Sequence, residues 1–521
     1  MTFGRISSHI GSLAVFLVAA ILLFGTASWR SAEYDEQYTL LLVSGTARPA
    51  WSDAAFTGAE VRQSQAGETG VRQLADHLRQ TDVHPPLYFA AAAAWRDLVG
   101  PGLMRARILS VCFGLGALAL VGWIARTARI PPAWAMAFTL GSYGFAYTAG
   151  IARGFALAQF LNLAGIALLM GAERCRRPAA AQPNLTQTTL RQTALALSGG
   201  LLLGAATFAN YLAVFVAGAA LLWLLLRRPR EPRLWLAACG GFALLLPADL
   251  WFFLAQRDSR AGQFPPFDLI HAIALLARYG AGSIFGGLPL YVGGTARLLV
   301  SGMLGGLLAA LSALVLWRWR GLARPSARVL LVMAALAPPV GLILLGLASN
   351  STPIELRYLA FATPFTALLL AGGLATLPRR ARIGIGGCIL LIQAVSLAGM
   401  VTRAETMQPA RATAEAAAGL AWPKGVVLVP HGNDGVGVVL AFASEAPDWL
   451  PMLVVGSADP ASRIRIRAGA YRRVVLALLG QDGSSRATVQ SMQAAFARQP
   501  CWRWAASGFN VVAYDRICGE D

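Results

Sequence analysis

Long apolar runs alternate with short, Arg-rich breaks along most of this chain. A helix needs roughly 20 apolar residues to cross a bilayer. Runs near that length predict eleven spanning helices, at about 10–28, 103–125, 131–150, 154–172, 193–208, 211–226, 234–254, 296–317, 329–348, 357–377 and 384–400. The fifth and sixth stand back to back, so "TFANY" between them predicts a tight turn. One run falls short. "HPPLYFAAAAAWRDLVG" (84–100) meets Arg96 and Asp97 too early to cross, and it predicts an interfacial or re-entrant helix. The first loop then runs from about 29 to 102, far longer than a connection requires. A second long segment, 255–295, is rich in Gly and Pro and reads as a mobile cover over a site at the membrane surface.

The pattern changes after residue 400. A strand-then-loop reading of 424–437, short β-type runs at 452–455, 472–480 and 509–516, and a helical stretch at 484–499 predict a small α/β domain over 401–521. "GNDGVG" in that tail lacks the spacing and strand–helix context of a nucleotide fingerprint, so an ordinary turn is the better reading. The division expected is therefore a transmembrane domain over 1–400 and an extracytoplasmic domain over 401–521.

Composition agrees with a membrane protein. Hydrophobic residues make up 56% and charged ones 13%, against about 25% charged in soluble domains. The net charge is +19, and all 44 basic residues are Arg except Lys424. Such charge can signal nucleic acid, but here it sits in short loops between apolar runs, which is a topology signal. With the N-terminus inside, the loops at 125–132, 173–178, 227–233, 318–328 and 378–382 are all Arg-rich and carry only Glu173 and Glu231 as acids. This alternation predicts a multi-pass membrane protein with a cytoplasmic N-terminus and an outer C-terminal domain, and the first apolar run, which lacks a clear small-x-small cleavage site, reads as a retained first helix. No nucleic-acid partner is expected. The six cysteines form no zinc pattern. Cys501 and Cys518 can pair if the tail lies outside the cytoplasm.

Four features gather on the predicted outer side: "EYDEQY" (33–38), "DVHPPLY" (82–88), "IARGFAL" (151–157) and "STPIELRYLAFATP" (351–364). Asp35 or Glu36 can take a proton from an attacking hydroxyl as general base, whereas Glu33 reads as a solvated flank. Arg153 and Arg357 offer planar donor forks suited to phosphate. Glu355 is positioned to pair with Arg357 or to sit beside it in the turn. His84 stands before two prolines on a fixed backbone. Base and cations together suit sugar transfer from a polyprenyl-phosphate donor, with the lipid phosphate as leaving group.

In this order the motifs resemble bacterial GT-C glycosyltransferases, in particular the protein O-mannosyltransferase-like and lipid A aminoarabinose transferase-like enzymes, over about residues 10–380. The resemblance implies Asp35 as catalytic base with Glu36 beside it. It implies donor-phosphate contacts from His84, Arg153, Arg357 and Tyr358, supported by Asp82 and Tyr88. It also leaves room for a divalent metal ion. Relatives often carry an acid or amide before the "AR" of the fourth helix, but Gly150 and Ile151 stand there, so a two-acid metal site is not expected at that place. The activity implied is an inverting transfer of a hexose or pentose to a hydroxyl of a protein, lipid or glycan. A transporter or flippase should instead show related halves and charges near mid-membrane. A polymerase or ligase would share the outer Arg residues without needing "DE" after the first helix.

Overall fold

A computed structural model describes residues 2–175, 185–257, 264–287, 292, 294–403, 409–433, 435–480, 482–497 and 499–518. Two compact units make up the chain: Met1–Ser28 with Ala75–Ala91 and Arg107–Thr402, and Trp29–Leu74 with Ala92–Ala106 and Arg403–Asp521. The second unit thus joins the predicted tail to much of the predicted first loop.

The first unit is helical. Among the described residues, seven helices are long and apolar enough to cross a membrane: His9–Trp29, Leu103–Ala128, Phe155–Arg174, Thr189–Ala209, Thr295–Trp317, Pro325–Ser349 and Arg379–Thr402. Each matches a predicted span. The other four predicted spans are broken or short. The run 234–254 is a pair of helices, Pro232–Ala243 and Leu246–Gln256, bent by 44°. The run 131–150 splits into Pro132–Gly141 and Tyr143–Ala149, because Ser142 takes an extended backbone between them. The runs 211–226 and 357–377 become the shorter helices Tyr211–Arg227 and Thr363–Ala375, the second preceded by a 3₁₀ turn over Leu356–Phe361. Small residues let neighbours close in: a Cβ on Gly200 would stand 1.8 Å from the Ala238 carbonyl oxygen, and one on Gly241 would stand 2.1 Å from that of Leu197.

Parts of the predicted cover segment, including residues 258–263, 288–291 and 293, lie outside the described residues. Between them the sequence reading missed a helix, Leu269–Ile284, whose first turn is capped by Asp268 accepting from the His271 amide. The short run at 84–100 forms a helix over Leu87–Val99. It begins after Pro85-Pro86, where the missing N–H groups cost nothing.

The second unit holds a five-stranded sheet, β1 (Gly425–Pro430), β2 (Met452–Val455), β3 (Arg473–Ala477), β4 (Trp502–Gly508) and β5 (Val511–Arg516), in the order β2-β1-β3-β5-β4. β1 pairs in parallel with β2 and β3, while β5 runs antiparallel to β3 and β4. Every residue of β1 and β2 is buried, as parallel strands covered on both faces must be. Alternate residues feed two cores. Val427, Val429 and Val475 pack with Leu41 and Val61 on one face, and Val426, Leu428 and Val474 pack with Met492 and Phe496 on the other. Arg473 stands opposite Asp515 in register and grips it at 2.7 and 3.0 Å. Phe56, from the predicted loop, exchanges backbone hydrogen bonds with Met452 at 3.0 and 2.8 Å and so covers the β2 edge. A disulfide joins Cys501 to Cys518. The sequence reading missed β4 and the helices Ala410–Ala421, Gly437–Glu445 and Ala461–Ala468.

Candidate functional site

In the first unit, "DVHPPLY" follows the end of the helix Val71–Thr81. Asp82 closes that helix through its amide, which donates to the Leu78 carbonyl at 3.2 Å. Its carboxylate turns back: Oδ1 accepts from the Val83 amide at 2.6 Å and lies 2.6 Å from His84 Nδ1. Arg153 completes the group. Its guanidinium lies 3.6 Å from Asp82 Oδ2 and 3.0 Å from His84 Nδ1, and it sits 5.6 Å from the centre of the Phe89 ring. Gly154 makes this placement possible, because any Cβ there would stand 2.4 Å from the Ala209 carbonyl oxygen. Asp82 and Arg153 are 5% and 3% exposed, so each charge depends on the other. Burial pushes the Asp82 carboxyl upward. The Arg153 and His84 charges and the hydrogen bonds from His84 and Val83 outweigh it and hold Asp82 well below the usual carboxylate range. The stabilisation this gives is fully present above about pH 4, the ordinary carboxyl value. It is lost only as pH falls through the depressed value.

His84 lines a cavity of about 1090 Å³, together with Asn210, Tyr211, Gln256, Arg257 and Tyr358. The sequence reading missed Gln256, which is 4% exposed. Its amide donates to the carbonyls of Leu78 at 2.8 Å and His84 at 3.1 Å, and it accepts from the Tyr211 hydroxyl at 2.9 Å. The signal available was a polar residue ending the apolar run "LWFFLAQ". Asn210 accepts from the Leu212 amide at 3.1 Å and makes the turn expected at "TFANY". Tyr88 is fully buried, its hydroxyl 3.0 Å from that of Ser110, and does not line the cavity. Arg357 pairs with Glu355 at 2.6 Å, and its neighbour Tyr358 is the one that reaches the cavity wall. Ile151 is a fully buried apolar residue.

In the second unit, Asp35 and Glu36 stand in the first turn of the helix Tyr34–Ser44. Glu33 is no solvated flank. It is 1% exposed, caps this helix and pairs with the buried Arg30. Glu36, fully buried, returns the cap by accepting from the Glu33 amide at 3.1 Å. Asp35 is buried at 9% exposure. The Glu36 carboxylate is thus engaged in the cap. Among the described residues no group of three or more His, Cys, Asp or Glu side chains could hold a metal ion.

No protein-family model and no curated protein matches the chain by sequence. In structure it is similar to ArnT from Cupriavidus metallidurans bound to undecaprenyl phosphate, at 16% identity and a TM-score of 0.52, over 99% of this chain and 98% of that one. The apo state of ArnT gives 14% identity and a TM-score of 0.53 over 97% and 98%. With its spanning helices, its small C-terminal sheet and this end-to-end likeness, the chain is a multi-span membrane protein with the fold of the GT-C superfamily.

Proposed function

We propose that the protein is an inverting glycosyltransferase. It moves a hexose or pentose from a polyprenyl-phosphate donor to a hydroxyl of a protein, lipid or glycan at the outer face of the inner membrane. The observation that carries this reading is the pairing of His84 with Arg153 and Asp82 at the wall of a large cavity, in a chain folded like an enzyme seen bound to undecaprenyl phosphate. Asp35 takes the proton of the acceptor hydroxyl. The hydroxyl oxygen bonds to the anomeric carbon as the bond to the phosphate oxygen breaks, and the electron pair leaves with the lipid phosphate. His84, Arg153 and Arg357 stabilise that charge. Asp82 holds two of these cations in place, and Tyr358 lines the approach. The Cys501–Cys518 disulfide supports an extracytoplasmic second unit.

The test is Asp35→Asn in membranes supplied with polyprenyl-phosphate sugars. Transfer should fall by about 10²–10⁴-fold with expression intact. Transfer at the wild-type level in this variant removes Asp35 from the mechanism.

A further inference from the structure

Between the helices Thr2–Trp29 and Tyr34–Ser44 the backbone leaves helical geometry for a few residues. Such a break frees carbonyl and amide groups that must find partners. Here the partners come from the far end of the sequence. Arg411, in the first turn of the helix Ala410–Ala421, donates from its guanidinium to the carbonyls of Trp29 at 3.1 Å and Arg30 at 3.4 Å. Its amide donates to the Ser31 hydroxyl at 3.0 Å. Glu445, the last residue of the helix Gly437–Glu445, accepts from the Ala32 amide at 2.5 Å and from Arg411 Nε at 2.8 Å. Ala32, Ala410 and Ala441 pack together beneath them.

The same helix follows the one that bears Asp35. The Tyr34 ring lies where a Cβ on Gly437 would stand, 2.3 Å away, and Ser444 reaches the Gln37 side chain at 3.5 Å. Asp35 therefore sits between three points fixed by Gly437–Glu445. We infer that Arg411 and Glu445 are positioning residues for Asp35, and that the α/β unit is the mount of the base rather than an appendage. The inference rests on the proposed function through the role of Asp35 alone.

The experiment compares Glu445→Ala and Glu445→Gln in the full-length protein in detergent, by hydrogen exchange and by turnover. Turnover uses whichever undecaprenyl-phosphate-linked pentose, hexose or amino sugar the wild type consumes. Glu445→Ala should speed amide exchange over residues 31–36, leave β1 and β3 unchanged, and lower kcat about tenfold to a hundredfold with the donor KM changed less than twofold. Glu445→Gln, which keeps the acceptor for Ala32, should recover most of kcat. Unchanged exchange over 31–36, faster exchange through the whole sheet, or unchanged kcat each overturns the inference. Wild-type turnover by Asp35→Asn is a separate result: it overturns the function reading, and the positioning of a base with it, whatever the exchange shows.

Discussion

The acid beside the cavity in the first unit and the acids around Asp35 in the second are held differently. In the first, Asp82 accepts from the neighbouring Val83 amide but is held chiefly by other charges, Arg153 and His84. In the second, Glu33, Glu36 and Glu445 accept from backbone amides as well as from Arg30 and Arg411. The first arrangement fixes cations beside a cavity. The second fixes the path of the chain. Removing a partner should therefore have unlike consequences: in one unit a stranded charge, in the other a loosened turn.

The largest effect is expected at Arg153. Arg153→Ala leaves Asp82 buried with His84 as its remaining side-chain partner beside the Val83 amide, and breaking a buried pair in this way costs about 3–5 kcal/mol. Thermal unfolding in detergent should show it, and Asp82→Asn in the same background should restore part of the loss, since the stranded charge is then gone. If Arg153→Ala leaves the melting temperature unchanged, the pairing is not what holds Asp82. Next comes Arg357→Ala. Arg357 is paired with Glu355 at the start of a 3₁₀ turn rather than buried with it. Its removal should weaken binding of undecaprenyl phosphate about tenfold to a hundredfold, the scale of a charge-assisted hydrogen bond of roughly 1.5–3 kcal/mol, and leave stability nearly intact. Unaltered affinity removes Arg357 from the phosphate site. The smallest change is expected in the second unit. Glu36→Ala takes away half of a capping box and should cost about 0.5–2 kcal/mol. A loss as large as that of Arg153→Ala would erase the distinction between the units.

Apolar length was readable because it is a local property. Every long spanning helix falls on a predicted run. The breaks were less readable. Ser142 divides a run that carries no charged residue, and the bend at 244–245 has no proline or glycine at the break itself. In the tail, the β-branched runs of β1, β2, β3 and β5 announced themselves. "WRWAASG" did not, because an edge strand with exposed positions shows neither strict alternation nor a continuous apolar run.

The candidate site divides in the same way. Its acids and cations were visible as charges where an apolar chain has few, and Cys501–Cys518 as two thiols in one polar tail. Their relations were not visible. Glu33 read as solvated because nothing near it in sequence reveals that it caps a helix inside a folded unit. Gln256 carried no local signal of its bond to the His84 carbonyl.

The sequence by itself determined that this is a membrane protein with a small α/β domain, and which few charged residues lie outside its Arg-rich loops. The tertiary structure alone decided which charges are buried and what each is bonded to. Apolar length and charge are summed over neighbours in the chain, whereas burial and pairing depend on segments brought together from afar, as Ala32 and Glu445 are across 413 residues.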